Sequence, residues 1–200
     1  MNIEDYIKTK KAFIIGFDNV LYPEKDYLLQ VYYLFSEFIT YSELTEAAPI
    51  VAYMRSEFEQ NGAENIFEKT ASHFNIPIKY KENFVLLHET ARLPLKLLLY
   101  KQMLSLLQEL VVERKEIFLL VKGNPAQQIN KIKQMEWHGL EKYLKLYFAD
   151  EFGSSQKCID FIVVEHNLVL EDILVIGNEE PSEKLLLPKG VDYFGVSKLL

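Results

Sequence analysis

From Glu116 to the C-terminus, short apolar runs alternate with helix-length amphipathic segments, and this alternation restricts the fold more than any other feature of the chain. Ile117-Phe118-Leu119-Leu120-Val121, Lys145-Leu146-Tyr147-Phe148, Ile173-Leu174-Val175-Ile176 and Val191–Val196 read as strands. Pro125–Glu136 and a segment at about Ser155–His166 read as helices, the first opened by Asn124 as N-cap and Pro125 at the first helical position. Strands separated in this way pair in parallel, because only a crossover returns the chain to start a neighbour running in the same direction. Near the N-terminus Ala12-Phe13-Ile14-Ile15, entered from Lys10-Lys11 and left through Gly16, reads as a further buried strand. The pattern predicts an α/β fold on an open parallel sheet.

A long helical block interrupts this pattern after the first strand. Apolar residues at Leu28, Val31, Tyr32, Phe35, Phe38 and Ile39 keep the three-and-four spacing of one helix face. The same period runs through Ala48–Phe58, Ile66–Phe74, Phe84–Thr90 and Leu95–Leu110, with breaks at Asn61-Gly62, Asn75-Ile76-Pro77 and Leu93-Pro94. Residues 22–93 are therefore expected to be an all-helical insertion, and residues 1–21 and 94–200 the α/β core that carries it.

Charge and composition narrow the partners. The 200 residues hold 22 Lys and Arg against 29 Asp and Glu, a formal net charge of -7. No positive excess is available to gather polyphosphate, so nucleic acid is excluded as the expected partner. The single cysteine, Cys158, cannot form an internal disulfide, which fits a reducing compartment. The start MNIEDYIKTKK lacks a signal-peptide stretch, and apolar runs such as IFLLV and LVIG fall far short of the roughly 20 residues a membrane-spanning helix needs. A soluble cytoplasmic protein with no membrane partner is expected.

In an open parallel sheet, ligands bind beyond the carboxyl ends of the strands, where helix N-termini turn their N–H groups outward. The segments at those ends are Gly16-Phe17-Asp18-Asn19, Lys122-Gly123-Asn124, Asp150–Lys157 and Gly177-Asn178-Glu179-Glu180, each polar or small directly behind an apolar strand.

The stretches AFIIGFDNVLYP, IFLLVKGNP, YFADEFGSS and ILVIGNEEPSE resemble, in order, the four motifs of the haloacid dehalogenase (HAD) superfamily of aspartate-nucleophile phosphatases. The resemblance spans essentially the whole chain. It implies a Rossmann-like core, and it places the helical insertion where that superfamily carries its C1 cap, the helical bundle that lids the active site.

What the resemblance implies about chemistry departs from the superfamily pattern at every motif. The frame Asp-x-Asp-x-Thr/Val puts Gly16 at the nucleophile, Asp18 at the general acid and base, and Val20 at the Thr/Val position. Glycine cannot form an acyl-phosphate, so Asp18 is expected to be a vestige. The Ser or Thr that ends the second strand is replaced by Val121, followed by Lys122; the third-motif Lys falls near Ser155, with Lys157 a candidate substitute. The fourth-motif metal carboxylate is replaced by Asn178. Magnesium wants carboxylates and waters in octahedral geometry, so no cofactor is expected. The implied function is a catalytically inactive pseudo-phosphatase kept as a binding or regulatory module. Its partner would be a small phosphorylated ligand or another anion, or a second protein, and the anion site would comprise Lys122, Gly123, Asn124, Ser155 and Lys157, with free N–H groups at the start of the helix after Asn124. The alternatives are an active Mg2+-dependent phosphatase of a small phosphorylated metabolite, in which Glu179 or Glu180 supplies a metal carboxylate, and a structural self-association protein.

Other residues read as structural. His73, His88, His138 and His166 show no metal-ligand spacing and suit surface or helix-end positions. Cys158 reads as a buried thiol, Trp137 as a plug between helix and sheet, and the face of Tyr27, Tyr32, Tyr33, Phe35 and Phe38 mainly as core.

Overall fold

A strand buried on both faces must take its neighbours from the same sheet and cover itself with helices, and the first strand, β1 (Ala12–Gly16), does so at the centre of the molecule's sheet. The computed structural model describes residues 2–178 and 187–200. In chain order the elements are α1 (Ile3–Thr9), β1, α2 (Glu24–Glu43), α3 (Ala47–Asn61), α4 (Ile66–Phe74), α5 (Lys81–Thr90), β2 (Leu97–Leu98), α6 (Lys101–Val112), β3 (Glu116–Val121), α7 (Pro125–Gln134), β4 (Met135–Glu136), β5 (Leu144–Phe148), α8 (Ser155–Glu165), β6 (Ile173–Gly177) and β7 (Asp192–Gly195).

The main sheet has five strands in the order β5-β3-β1-β6-β7, all parallel. Its register sets Gly16 beside Leu120 of β3 and Ile15 beside Ile176 of β6. One face packs on α8 through Ala12, Ile14, Phe118, Ile159, Ile162 and Val175. Lys10 is almost wholly buried at the entry to β1, where its ammonium meets Asp192 Oδ2 at 2.5 Å and donates to the Glu171 carbonyl. On the outer strand β5, Lys145 reaches Glu116 Oε2 at 2.5 Å.

The chain divides into two compact units. One comprises Met1–Pro23, Leu98–Gln128 and Met135–Leu200 and holds the five-stranded sheet. The other comprises Glu24–Leu97 with Ile129–Gln134, so that the division falls inside α7. The helical unit is built on an aromatic interior: Tyr27, Tyr32 and Phe35 are wholly buried, and Phe35 meets Phe84 at 5.0 Å and Phe67 at 5.7 Å between ring centroids. Tyr33, on the opposite side of α2, is exposed. Lys131 is also wholly buried there, paired with Glu24 at 2.8 Å and lying 4.9 Å from the centre of the Tyr27 ring. Asn130 donates to the carbonyls of His88 and Ala91, and Gln134 accepts from the Leu93 N–H and donates to the Ala91 carbonyl.

The structure corrects three readings. Leu95–Leu110 is not one helix: α6 begins at Lys101, and the residues before it are extended, with Leu97 and Leu99 buried and Leu98 exposed. That alternation is a strand period, and Pro94 bars a helix from running through Leu93. α7 ends at Gln134, with Met135–Glu136 extended rather than helical. The N-terminal segment, where the apolar pattern gives no element before the strand at Ala12, is the helix α1. It is closed by a capping box in which Asn2 accepts from the Asp5 N–H at 2.8 Å and Asp5 accepts from the Asn2 N–H at 3.2 Å.

Two buried groups generate predictions. Cys158 is wholly buried, and burial, reinforced by the Glu151 carboxylate, pushes its thiol up to about 11. It is expected to resist thiol reagents near neutral pH in the native protein and to react at once after denaturation, read as the thiol count before and after guanidinium. His88 sits in the last turn of α5 but is packed among rings, 4.8 Å from Phe84 and 5.7 Å from Tyr27. Burial, helped by the Lys131 charge, lowers it from 6.5 to about 4. The unfolded imidazole therefore takes a proton before the folded one, and stability is lost as pH falls from about 6.5 to about 4, by up to about 3 kcal/mol. Melting temperatures across this window should fall less steeply in His88→Phe than in the parent.

Candidate functional site

The carboxyl ends of β1, β3, β5 and β6 point the same way in a parallel sheet, so the segments that leave them lie along one edge of the core. After Gly16 the chain makes a helical turn in which the Val20 and Leu21 N–H groups donate to the Phe17 carbonyl. Asn19, inside that turn, takes the left-handed conformation at φ 57°, which asparagine tolerates better than most residues. This turn presents Asp18.

Both oxygens of the Asp18 carboxylate are engaged. Tyr22 Oη donates to Oδ1 at 2.6 Å, and Gln128 Nε2 donates to Oδ2 at 2.6 Å. Gln128 also donates from Nε2 to the Lys122 carbonyl at 2.7 Å, so one amide ties the loop after β1 to the loop after β3. A third connection comes from the loop after β5, where Asp150 Oδ2 accepts from the Gly123 N–H at 2.7 Å. Gly123 lies at φ 94°, and a Cβ there would come 3.4 Å from Gln128 Nε2, so glycine serves both the turn and the approach of the amide.

The start of α7 is capped as the sequence suggests, with Asn124 Oδ1 accepting from the Ala126 and Gln127 N–H groups at 2.9 and 3.2 Å. Consequently the N–H groups expected to face a ligand are already bonded: Gly123 to Asp150, Ala126 and Gln127 to the Asn124 side chain, and Gln128 to the Asn124 carbonyl. Lys122 is exposed at the end of β3. Ser155 opens α8 and Lys157 is exposed two residues on; the helix is capped by Ser154, whose Oγ accepts from the Lys157 N–H at 3.2 Å. The structure thus joins Asp18, Lys122, Gly123 and Asp150 through hydrogen bonds and leaves the Ser155 and Lys157 side chains outside that network. Asn178 follows β6, and its carbonyl accepts from Tyr193 Oη; Glu179 and Glu180 lie outside the described residues.

Gln128 and Asp150 are the residues of this candidate edge that sequence reasoning misses. The motif frame looks for groups at strand ends, whereas Gln128 lies one turn into a helix and shows itself only as a 4% exposed polar side chain. Asp150 was visible as a loop residue but had no assigned role.

Gly16 is closely surrounded. A Cβ at this position would lie 3.0 Å from Val20 Cγ2 and 3.6 Å from the Ile176 carbonyl oxygen. Val20 is itself buried, so its branched side chain has little space into which to turn.

The magnesium that the superfamily resemblance implies does not suit this donor set. Gly16 brings no oxygen from a side chain, Asn178 only a neutral amide, and both oxygens of Asp18 already accept from neutral donors. Among the described residues no group of three or more His, Cys, Asp and Glu side chains is placed to hold a metal ion. Among the same residues no helix is long and apolar enough to cross a membrane.

The close packing at Gly16 gives a direct expectation. Gly16→Ala should destabilise the protein by about 1 kcal/mol or more, because an added methyl in a filled site displaces its neighbours. Urea unfolding of this variant and the parent measures the difference.

No protein-family model matches the sequence, and no curated protein matches it. Solved structures do. YfnB of Bacillus subtilis, termed a HAD-hydrolase and solved with magnesium bound, superimposes with a TM-score of 0.57 at 10% identity, over 92% of this chain and 85% of its own. The UTR4 protein of Saccharomyces cerevisiae also gives a TM-score of 0.57, at 12% identity over 92% and 89% of the two chains. A HAD family hydrolase of Deinococcus radiodurans, solved with phosphate and sodium, gives 0.51 at 11% identity over 94% and 80%. Likenesses at these identities establish a shared fold and leave the chemistry to the residues.

Proposed function

We propose that this chain, which has the fold of HAD-type hydrolases, is a catalytically inactive member of that group that binds a phosphorylated ligand without turning it over. The observation that carries the reading is the state of the two positions that would do the chemistry. At the nucleophile position stands Gly16, with a buried valine pressed against the space its side chain would need. At the acid and base position, Asp18 has both oxygens held by Gln128 and Tyr22. Loss of a nucleophile costs on the order of 10⁶ in rate in a well-dissected covalent hydrolase, and the groups around it act as a unit, so Gly16→Asp alone leaves the protein inactive.

Support for a ligand comes from the loop after β3. The Gly123 N–H already holds an anionic oxygen, that of Asp150, so the turn has the geometry for one. A phosphate oxygen takes this donor by displacing Asp150, with Lys122 adding its charge from the same loop, and Lys157 a charge and Ser155 a hydroxyl donor from the start of α8. The phosphate held by the Deinococcus radiodurans neighbour is consistent with this class of ligand on this fold. Residues 22–93 are read as the cap insertion, which in the superfamily selects the ligand.

Two measurements test the proposal. Purified protein is expected to show no turnover above about 1 s⁻¹, the low end of the usual enzyme range, against a panel of phosphomonoesters with magnesium; turnover above that rate would establish the active phosphatase instead. Inorganic phosphate titrated in the presence of a chelator is expected to raise the melting temperature. At tenfold excess over Kd the gain is about 1.4 kcal/mol, or about 3–5 °C. Asp150→Asn, which removes the competing carboxylate charge, should shift the titration to lower phosphate concentration, and Lys122→Ala to higher. If neither the parent nor Asp150→Asn responds to phosphate, the ligand reading is wrong.

A further inference from the structure

The helical unit carries an unsatisfied polar interior far removed in chemistry from the strand-end edge. Tyr32 is wholly buried in α2, yet its Oη has no hydrogen-bond partner among the described residues. The same holds for Nδ1 of His88 in α5. The two rings lie 6.5 Å apart in an edge-on arrangement, walled by Phe84, Phe58 and Tyr27. The Lys131–Glu24 pair lies next to these rings, with the Lys131 ammonium 4.9 Å from the centre of the Tyr27 ring and 2.8 Å from Glu24.

Buried hydroxyl and imidazole nitrogens are almost always hydrogen-bonded in native proteins, to protein, ordered water or ligand. The surrounding protein offers these two atoms none. Its other polar groups are committed: Tyr27 Oη donates to the His88 carbonyl, Asn130 to the His88 and Ala91 carbonyls, and Lys131 to Glu24. We infer that the helical unit holds a small, neutral, hydrogen-bonding molecule that bridges Tyr32 Oη and His88 Nδ1. Its chemistry is set by what it meets. The phenol both donates and accepts, and a neutral imidazole presents either role at Nδ1 according to its tautomer, so the molecule needs one donor and one acceptor. A net charge is disfavoured, because Lys131 and Glu24 already neutralise each other and the rest of the wall is aromatic. Water satisfies this description, and so does a small hydroxylated molecule.

The sign of a stability change decides the matter. If the bridge exists, Tyr32→Phe deletes one of its ends, and the melting temperature at pH 7.5 should fall by about 3–6 °C, the response expected for loss of a buried hydrogen bond in a chain of this size. His88→Phe should lower it as well, and the double variant should lose clearly less than the two single losses combined, because both act on one bridging molecule. If no molecule is bound, Tyr32→Phe removes a buried hydroxyl that satisfies nothing, so the melting temperature should rise and the two changes should add. Either of those results overturns the inference. A crystal structure distinguishes the occupants: a single peak within hydrogen-bond distance of both atoms identifies water, larger density a hydroxylated molecule, and absence of density between Tyr32 and His88 rejects the site.

Discussion

Parallel pairing of β1 with β3 on one side and β6 on the other is the constraint from which the functional edge follows. A parallel sheet brings every strand out at the same end, so Gly16, Val121 and Gly177 are delivered together although more than a hundred residues separate the first from the second. Antiparallel pairing would have sent alternate loops to opposite ends. The apolar character of the central strands is the physical source of that arrangement, because β1, β3 and β6 are covered on both faces and leave no solvent side on which polar residues could alternate.

On that edge, hydrogen bonds within the protein tie the loops after β1, β3 and β5 together. Gln128 uses both hydrogens of its amide, one toward the Asp18 carboxylate and one toward the Lys122 carbonyl, and Asp150 spends its carboxylate on the Gly123 N–H. The result is an edge ordered by its own side chains, with one amide and one carboxylate linking three loops that are far apart in sequence.

The parts of this molecule that were legible in the sequence are those written as hydrophobic period. The strands at 12–16, 116–121, 144–148 and 173–177 and the helix at Ile66–Phe74 follow directly from apolar spacing. The stretch before α6 is ambiguous because five leucines within residues 93–99 satisfy a helical and a strand period alike, and only burial separates them. α1 announced itself through Asn2 and Asp5 at capping-box spacing, a polar signal easily missed beside hydrophobic ones. The candidate site was legible as a set of loops and illegible as a network. α7 is the reason: Ile129 is 41% exposed whereas Gln128, Asn130 and Lys131 are buried, so its inward side is polar and an apolar-moment reading turns the helix the wrong way.

The outer strand β5 has a further consequence for the life of the chain. It borders the sheet with one row of backbone groups that no strand among the described residues pairs, and its residues are exposed or half-buried. Such a margin is a template on which another polypeptide can add a strand. Here Lys145, exposed in the second position of β5, turns its ammonium back over the neighbouring strand, to Glu116 Oε2 at 2.5 Å and to 5.4 Å from the centre of the Phe118 ring. A lysine on an edge strand sets a hydrated charge beside any incoming strand, and such a charge disfavours extension of the sheet by another chain.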